Sequence, residues 1–522
     1  MRRSLALLLL AAACLVTGCR RAVDVEVIRR ERGGEGEGEG EEGEGEGEGE
    51  GEGEGEGEGE GEGEGEGELT GDLVDVGHRR ELRGAWIATV FGINWPSSSS
   101  ASAAVKEQEL IDLIDSAADA GLNAVFFQTR PESDAMYAST LEPWSRFLTG
   151  VQGRDPGFDP LAVAIERAHA RGIELHAWIN PYRGLTSSSV TAAANHVTQT
   201  LAADARVYRG GVWMDPSSSA VRAHVVEVIE DIVARYDVDG IHFDDYFYPY
   251  PDGNTSYPDD DRYQLYRLGG GVMSKSEWRR DNVNALIEDA SVAIGSMAPA
   301  VRFGVSPFGI YRPGTPEGIR GLDAYEAIAC DPVTWLAMDW VDYLAPQLYW
   351  RTDQPQQAFG TLLPWWASLP DGDGRFVAPG INLAAFDGTS WTLEEYGRQM
   401  DIVRAHLDEG AGGSILYHLE PLVTDDDVRA TFASLYAEPA LPPPVAADVS
   451  IPSPPRLEGD VVRGDGRRFG VYVESEAGFV LTQIVSGQSM TLSSVSSAAA
   501  RRVITTIGKN DRESRGVLVV MP

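Results

Sequence analysis

The chain has 522 residues, 43% of them hydrophobic, which is more than one ordinary domain needs and enough for a large core. Its formal net charge is −38, and removing the 18 glutamates of the Gly-Glu tract at residues 35–68 still leaves −20. That acidity excludes a nucleic-acid partner, whose phosphates it would repel, and suits a neutral or amino-sugar polymer.

In chain order, Arg2 and Arg3 precede an apolar run, Leu5 to Val16, too short to span a bilayer. Val16-Thr-Gly-Cys19 then resembles the lipobox of bacterial lipoproteins. The resemblance implies that residues 1–19 hold a signal peptide cleaved before Cys19, and that Cys19 is lipidated. Acylation anchors a protein to a membrane without a spanning helix. Arg20 follows, with no Asp to suggest inner-membrane retention. The expected location is the cell envelope, at the periplasmic face of the outer membrane or outside the cell. Cys330 is then the one unmodified cysteine of the mature chain, so no intramolecular disulfide is expected. Residues 20–78 read as a charged connector and a disordered Gly-Glu tether, because that composition repels itself and buries nothing.

From residue 79 to 437 the pattern repeats: apolar strand, polar loop, amphipathic helix. The strands are predicted at 82–90, 123–128, 173–179, 240–244, 301–306, 342–348, 376–381 and 413–417. Eight strands alternating with helices predict a (β/α)8 TIM barrel with long carboxyl-face loops. A doubly wound sheet would carry a Gly-rich phosphate loop after its first strand, and none is present. Residues 438–456 form a Pro-rich linker, and 457–522 predict a small all-β, sandwich-like module.

In a barrel, chemistry sits where strands end at the carboxyl face. Strand two ends in Gln128-Thr-Arg130-Pro-Glu132-Ser-Asp134. Strand three ends in His176-Ala-Trp178-Ile-Asn180-Pro-Tyr182-Arg183. The fourth gives His242-Phe-Asp244-Asp245-Tyr246, the sixth Gln347-Leu-Tyr349-Trp350, and the eighth Tyr417-His-Leu-Glu420. Carboxylates, amides, Arg and aromatics in this mixture are carbohydrate chemistry: rings stack on pyranose faces and planar polar groups grip hydroxyls. Arg130, Asn180, Tyr182, Arg183, His242, Gln347 and Tyr349 are candidates to bind sugar. Trp178, Tyr246 and Trp350 are aromatics better placed for sugar than for the core, whereas Trp365 and Trp366 fit either role. Adjacent strand residues point to opposite sides, so only one of Asp244 and Asp245 should face the barrel mouth. The plainer alternative for that pair is a helix cap or turn. No Gly-x-Ser-x-Gly or phosphate loop supports other hydrolase chemistry. A metal site built from His176, His242, Asp244, Asp245 and Asp259 to Asp261 would serve a deacetylase, but it lacks a tight His pair. No cofactor or metal is called for.

Arg83-Gly-Ala-Trp-Ile, Asn94-Trp-Pro, Gln128-Thr-Arg-Pro, Asp134-Ala-Met-Tyr, Pro143-Trp-Ser, His176-Ala-Trp-Ile-Asn-Pro-Tyr-Arg, Asp239-Gly-Ile-His-Phe-Asp-Asp-Tyr-Phe-Tyr-Pro, Gly304-Val-Ser-Pro-Phe-Gly and Asp342-Tyr-Leu-Ala-Pro-Gln-Leu-Tyr-Trp together resemble the glycosyl hydrolase-like 10 family. The resemblance spans residues 80 to about 437. It implies a barrel and a polysaccharide substrate; the family includes a glycosidase acting on peptidoglycan strands stripped of their peptides. Gly240-Ile-His-Phe-Asp244 is also similar to the fourth-strand motif of the α-amylase group, which implies Asp244 as the nucleophile with Asn180 close by. The fifth strand lacks the acidic Glu of that group. The proton donor is therefore expected from Asp245, Asp134, Glu132 or Glu420, in that order, with a pKa raised by burial. The expectation is a two-carboxylate glycosidase of cell-wall glycan; the alternative is a glycan-binding lipoprotein without catalysis.

Overall fold

The computed structural model describes residues 72–520 except 254, 373, 446–448, 477 and 495–500. The lipobox at Cys19 and the Gly-Glu tract lie outside the described residues.

Eight parallel strand positions follow in chain order: β1 (Leu82–Ile87), β2 (Ala124–Arg130), β3 (Glu174–Ile179), β4 (Gly240–Phe243), β5 (Arg302–Val305), β6 (Tyr343–Leu344), β7 and β8 (Gly413–Tyr417). The seventh is split around Pro379 into Phe376–Val377, which pairs with β6, and Gly380–Asn382, which pairs with β8. The two halves of β7 are thus the two ends of the sheet, and β8 pairs with β1, so the ring closes. Helices α1 (Ala103–Asp119), α2 (Pro160–Ala170), α3 (Ser219–Arg235), α4 (Lys275–Met297), α5 (Pro332–Ala337), α6 (Phe359–Ala367), α7 (Leu393–Ala405) and α8 (Asp426–Leu435) each follow one strand. All but α6 start on a Ser, Thr or Asp whose side chain accepts a first-turn N–H. Such caps satisfy donors that the helix itself leaves free. This is the predicted (β/α)8 barrel.

Strand alternation divides the core in two. Ile241 and Phe243 of β4, with Leu175 and Ala177 of β3, face the helices. Trp86, Phe126, Trp178, Tyr343 and Phe376 fill the barrel interior. Two glycines make this filling possible. A Cβ on Gly304 would lie 2.0 Å from the Tyr343 ring, and one on Gly240 would lie 2.2 Å from the His176 ring. With that room, the Tyr343 hydroxyl reaches His176 Nδ1 at 3.1 Å and His242 Nδ1 at 2.9 Å. Trp366 is fully buried and donates to the Gly309 carbonyl at 3.0 Å, while Trp365 stacks on Tyr311, so both pack rather than face solvent as sugar platforms. Cys330 is buried and free.

Among its described residues the C-terminal module holds seven strands: β9 (Arg456–Glu458), β10 (Val461–Arg463), β11 (Arg468–Ser475), β12 (Gly478–Ser486), β13 (Ser489–Thr491), β14 (Arg501–Ile507) and β15 (Gly516–Val520). β9, β10 and β13 form one sheet, and β15, β14, β11 and β12 another. Val462, Phe469, Val471, Met490 and Ile504 fill the space between them. Leu73–Val74, from the segment read as connector, adds an antiparallel edge strand to β15. The Pro-rich linker is equally built in: Leu441 is fully buried, and Val445 N–H donates to the Asn510 carbonyl at 3.0 Å.

The module closes the amino end of the barrel. The turn between β14 and β15 carries Asp511 beneath the strands. Arg302 of β5 donates to Glu174 of β3 at 2.5 Å and to Asp511 at 2.6 Å, and Arg468 also pairs with Asp511. All four side chains are buried. Two guanidinium groups thus meet two carboxylates, which is how buried charge is tolerated.

Candidate active site

At the carboxyl end the barrel stays open. The strand ends and their loops surround a cavity of about 500 Å³. Its polar wall includes Asp244, Arg183, Gln347, Gln128 and Ser306, and its aromatic wall Trp86, Trp178, Trp213, Tyr246, Tyr250, Tyr349 and Tyr417. Tyr349 and Tyr417 stack with centroids 5.4 Å apart, and Trp213 lies 6.2 Å from Tyr246.

Asp244 continues the inward face of β4, two residues after His242, and so reaches the cavity. It is held from behind. Asn180, past the end of β3, donates to Asp244 Oδ2 at 2.9 Å. Gln128 of β2 donates to Asn180 Oδ1 at 2.7 Å. The Gln128 side-chain oxygen Oε1 accepts the backbone N–H groups of Thr89 and Val90, each at 2.9 Å. Asp245 N–H donates to Asp244 Oδ1 at 2.9 Å. Each link is a directional bond to a buried group, so the carboxylate has one orientation.

Asp245 is itself buried and not among the residues lining the cavity. Burial, then the neighbouring Asp244 charge, push its carboxyl well above the ordinary range, against hydrogen bonding by Tyr250 and Gln347. The Tyr250 hydroxyl donates to Asp245 Oδ2, and Tyr250 lines the cavity. One carboxyl group on the wall and a second behind a tyrosine, its affinity for the proton raised by burial, have the form of an acid/base pair.

The structure distributes the other predicted residues over two shells. Trp178, Arg183, Tyr246, Gln347 and Tyr349 line the cavity. Asn180 and His242 stand behind it; His242 Nε2 accepts from Trp86 Nε1 at 3.1 Å and lies 3.2 Å from Ser306 Oγ. Arg130 is turned away and bound to Glu142 at 2.6 and 2.8 Å, while donating to the Asn180 and Pro181 carbonyls. Tyr182 is fully buried in the outer core, and Trp350 packs edge-on against Phe308. Asp134 sits in the loop after β2, where Gln152 donates to it at 3.0 Å. It is not among the residues that line the cavity. Burial, then the nearby Glu132 charge, raise the Asp134 carboxyl to about 7. Glu132 is engaged by Arg146 at 2.8 Å, and Glu420 is on the surface.

Trp213 is the residue that strand-end reasoning misses. It comes from a three-stranded antiparallel sheet in the loop after β3 (Arg183–Leu185, Ala205–Tyr208 and Gly211–Met214), where Trp213 is the partner of Arg183. The alternation of Val212, Trp213 and Met214 was the available signal. Tyr250 and Tyr417 stood in strand-terminal motifs without an assigned role. Among the described residues, no group of three or more His, Cys, Asp or Glu is arranged to hold a metal ion.

The profile of the family described as "Glycosyl hydrolase-like 10" matches residues 81–369. "Glycosyl hydrolase YngK" of Bacillus subtilis is 37% identical over 402 residues, covering 72% of this chain and 76% of that protein. "Glycosyl hydrolase DigH" of Escherichia coli is 36% identical over 310 residues, covering 55% of this chain and 70% of that protein. Among solved structures, the endo-1,4-beta-mannanase of Rhizomucor miehei is similar with a TM-score of 0.44 and 14% identity, covering 71% of this chain and 99% of that one. The family profile and the Bacillus subtilis relative identify the chain as a glycosidase that belongs to the glycosyl hydrolase-like 10 family.

Proposed function

We propose that this glycosidase cleaves the glycan strands of the bacterial cell wall, with peptide-free peptidoglycan as its substrate. It works in the cell envelope, held by a lipid at Cys19. The observation that carries the catalytic part is the pair at the end of β4: Asp244 on an aromatic-lined wall, and Asp245 behind Tyr250 with its carboxyl pushed above the ordinary range by burial. Asp244 stabilises the positive charge that develops at the anomeric carbon when the glycosidic bond breaks. Asp245 supplies the proton by a relay that reverses the resting hydrogen bond: the Tyr250 O–H turns to the departing oxygen and gives up its proton there, while the Tyr250 oxygen takes the proton of the Asp245 carboxyl. Water then adds hydroxide to the anomeric carbon and returns a proton to the pair. Tyr246, Trp178 and Trp213 offer ring faces to the pyranose units, and Gln347 and Arg183 grip their substituents. The family resemblance supports the choice of glycan, and the lipobox supports the location.

The test is digestion of peptide-free peptidoglycan, chitin oligomers and α-glucans, followed by mass analysis. The expected products are shortened peptidoglycan strands, each cut adding one water. Strands that are retained but uncut would make the protein a glycan binder instead. Cleavage of α-glucans alone would overturn the substrate. Cys19→Ala should move the protein from the membrane fraction to the soluble one.

A further inference from the structure

Arg183 opens the loop sheet after β3, opposite Trp213. It is 9% exposed and lines the cavity. Its guanidinium carbon stands 4.2 Å from the centre of the Tyr246 ring. Beyond that stacking, its guanidinium makes no hydrogen bond and no carboxylate lies within 4.0 Å of it among the described residues. Four other buried arginines differ. Arg83 is paired with Glu81, Arg130 with Glu142, Arg302 with Glu174 and Asp511, and Arg468 with Asp511.

The Arg183 nitrogens open on the cavity, and the ring face of Tyr246 shields one side of the cation. What Tyr246 does fix is the plane of the guanidinium, with its N–H edge left for another group. A planar fork of that kind matches a carboxylate by two parallel bonds. Asp244, on the same cavity wall, is already held by Asn180 and by a backbone N–H, so it is not that partner.

We propose that Arg183 binds a carboxylate carried by the sugar itself, and so makes the enzyme selective for acidic glycans. This deepens the function proposed above and rests on it for the sugar. Sugars that carry such a group include a muramic residue, through its lactyl ether, and a uronic acid, at C6. In peptidoglycan that still bears stem peptides, the lactyl carboxyl is an amide. An amide has no charge and cannot take both bonds of the fork. Arg183 would therefore be the residue that selects strands whose peptides have been removed.

Three oligosaccharides test this: a peptide-free muramic oligomer, the same oligomer with its lactyl carboxyls converted to methylamides, and a uronate-containing oligomer. Both kcat/KM and calorimetric Kd are measured for the wild type, Arg183→Lys and Arg183→Met. The wild type should favour the free muramic acid over its methylamide by about 10- to 100-fold, the range of hydrogen bonds to charged groups. In Arg183→Met that ratio should fall to about one, with Arg183→Lys between, as expected from the loss of the fork. Preference for the uronate would assign the other source. Each ratio is taken within one variant, so a reduced folded fraction cancels. A wild-type ratio of one, or a wild-type ratio retained in Arg183→Met, overturns the proposal. If the wild type cleaves none of the three, the glycosidase function fails, and the Kd ratios still decide the role of Arg183.

Discussion

The two ends of the barrel bury the same kinds of residue and use them differently. At the amino end, Arg302 and Arg468 meet Glu174 and Asp511, and the C-terminal module seals the ring. At the carboxyl end, Asp244 and Arg183 share a cavity, each with capacity left for a ligand. Buried charge that is fully paired holds a structure together, whereas buried charge left open awaits a substrate.

Substitutions at either end should separate activity from stability. The largest effect is expected for Asp244→Asn, which leaves the shape of the site intact. Activity on peptide-free glycan should fall about 10⁴-fold, roughly 5 kcal/mol, with thermal unfolding unchanged. Retained activity would remove Asp244 from the mechanism. Arg302→Met tests the other end. It leaves Glu174 and Asp511 without their shared cation, so denaturant unfolding should show a loss of about 3–5 kcal/mol. The surviving folded enzyme should keep its kcat/KM; a selective loss of kcat would erase the distinction between the two ends.

A smaller effect is expected at Asp245. Its carboxyl is raised, so the protonated form needed to donate persists above the pH at which an ordinary aspartate ionises and is lost as pH rises through its pKa. The wild type should show an alkaline limb in kcat. Asp245→Asn should remove that limb and lower kcat by about 10²- to 10³-fold. A limb that survives the substitution would assign the acid elsewhere.

Asp134 gives the smallest effect and a different sign. Its folded carboxyl titrates at about 7, above the ordinary carboxylate value. The folded state therefore holds an extra proton between about pH 4 and 7, and stability falls as pH rises through that window. Asp134→Asn should narrow the stability difference between pH 5 and pH 8 by on the order of 1–2 kcal/mol. Its kcat/KM should stay at the wild-type value, and a drop would return Asp134 to the site.

Much of this was legible in the chain. Gly240-Ile-His-Phe-Asp244 declares a buried strand, and period two sends His242 and Asp244 to the same side, one into the barrel and one into its mouth. Trp178, Gln347 and Tyr349 follow the same rule. Where the rule failed, contacts distant in sequence took over. Arg130 is claimed by Glu142. Asp134 is engaged by Gln152, and Tyr182 is taken by the core between sheet and helices. Trp213 reaches the cavity only because the loop sheet pairs it with Arg183.

By itself, then, the sequence determined the local terms: strand and helix periodicity, the capping residues, the eight-fold alternation and the direction of Asp244. These depend on neighbours a few positions apart. Only the tertiary structure decided which charges are satisfied. Arg302 meets partners 128 and 209 positions away, while Arg183 meets no carboxylate among the described residues. Whether a buried charge holds the fold or waits for a ligand depends on what the completed barrel brings within about 4 Å, the reach of an ion pair.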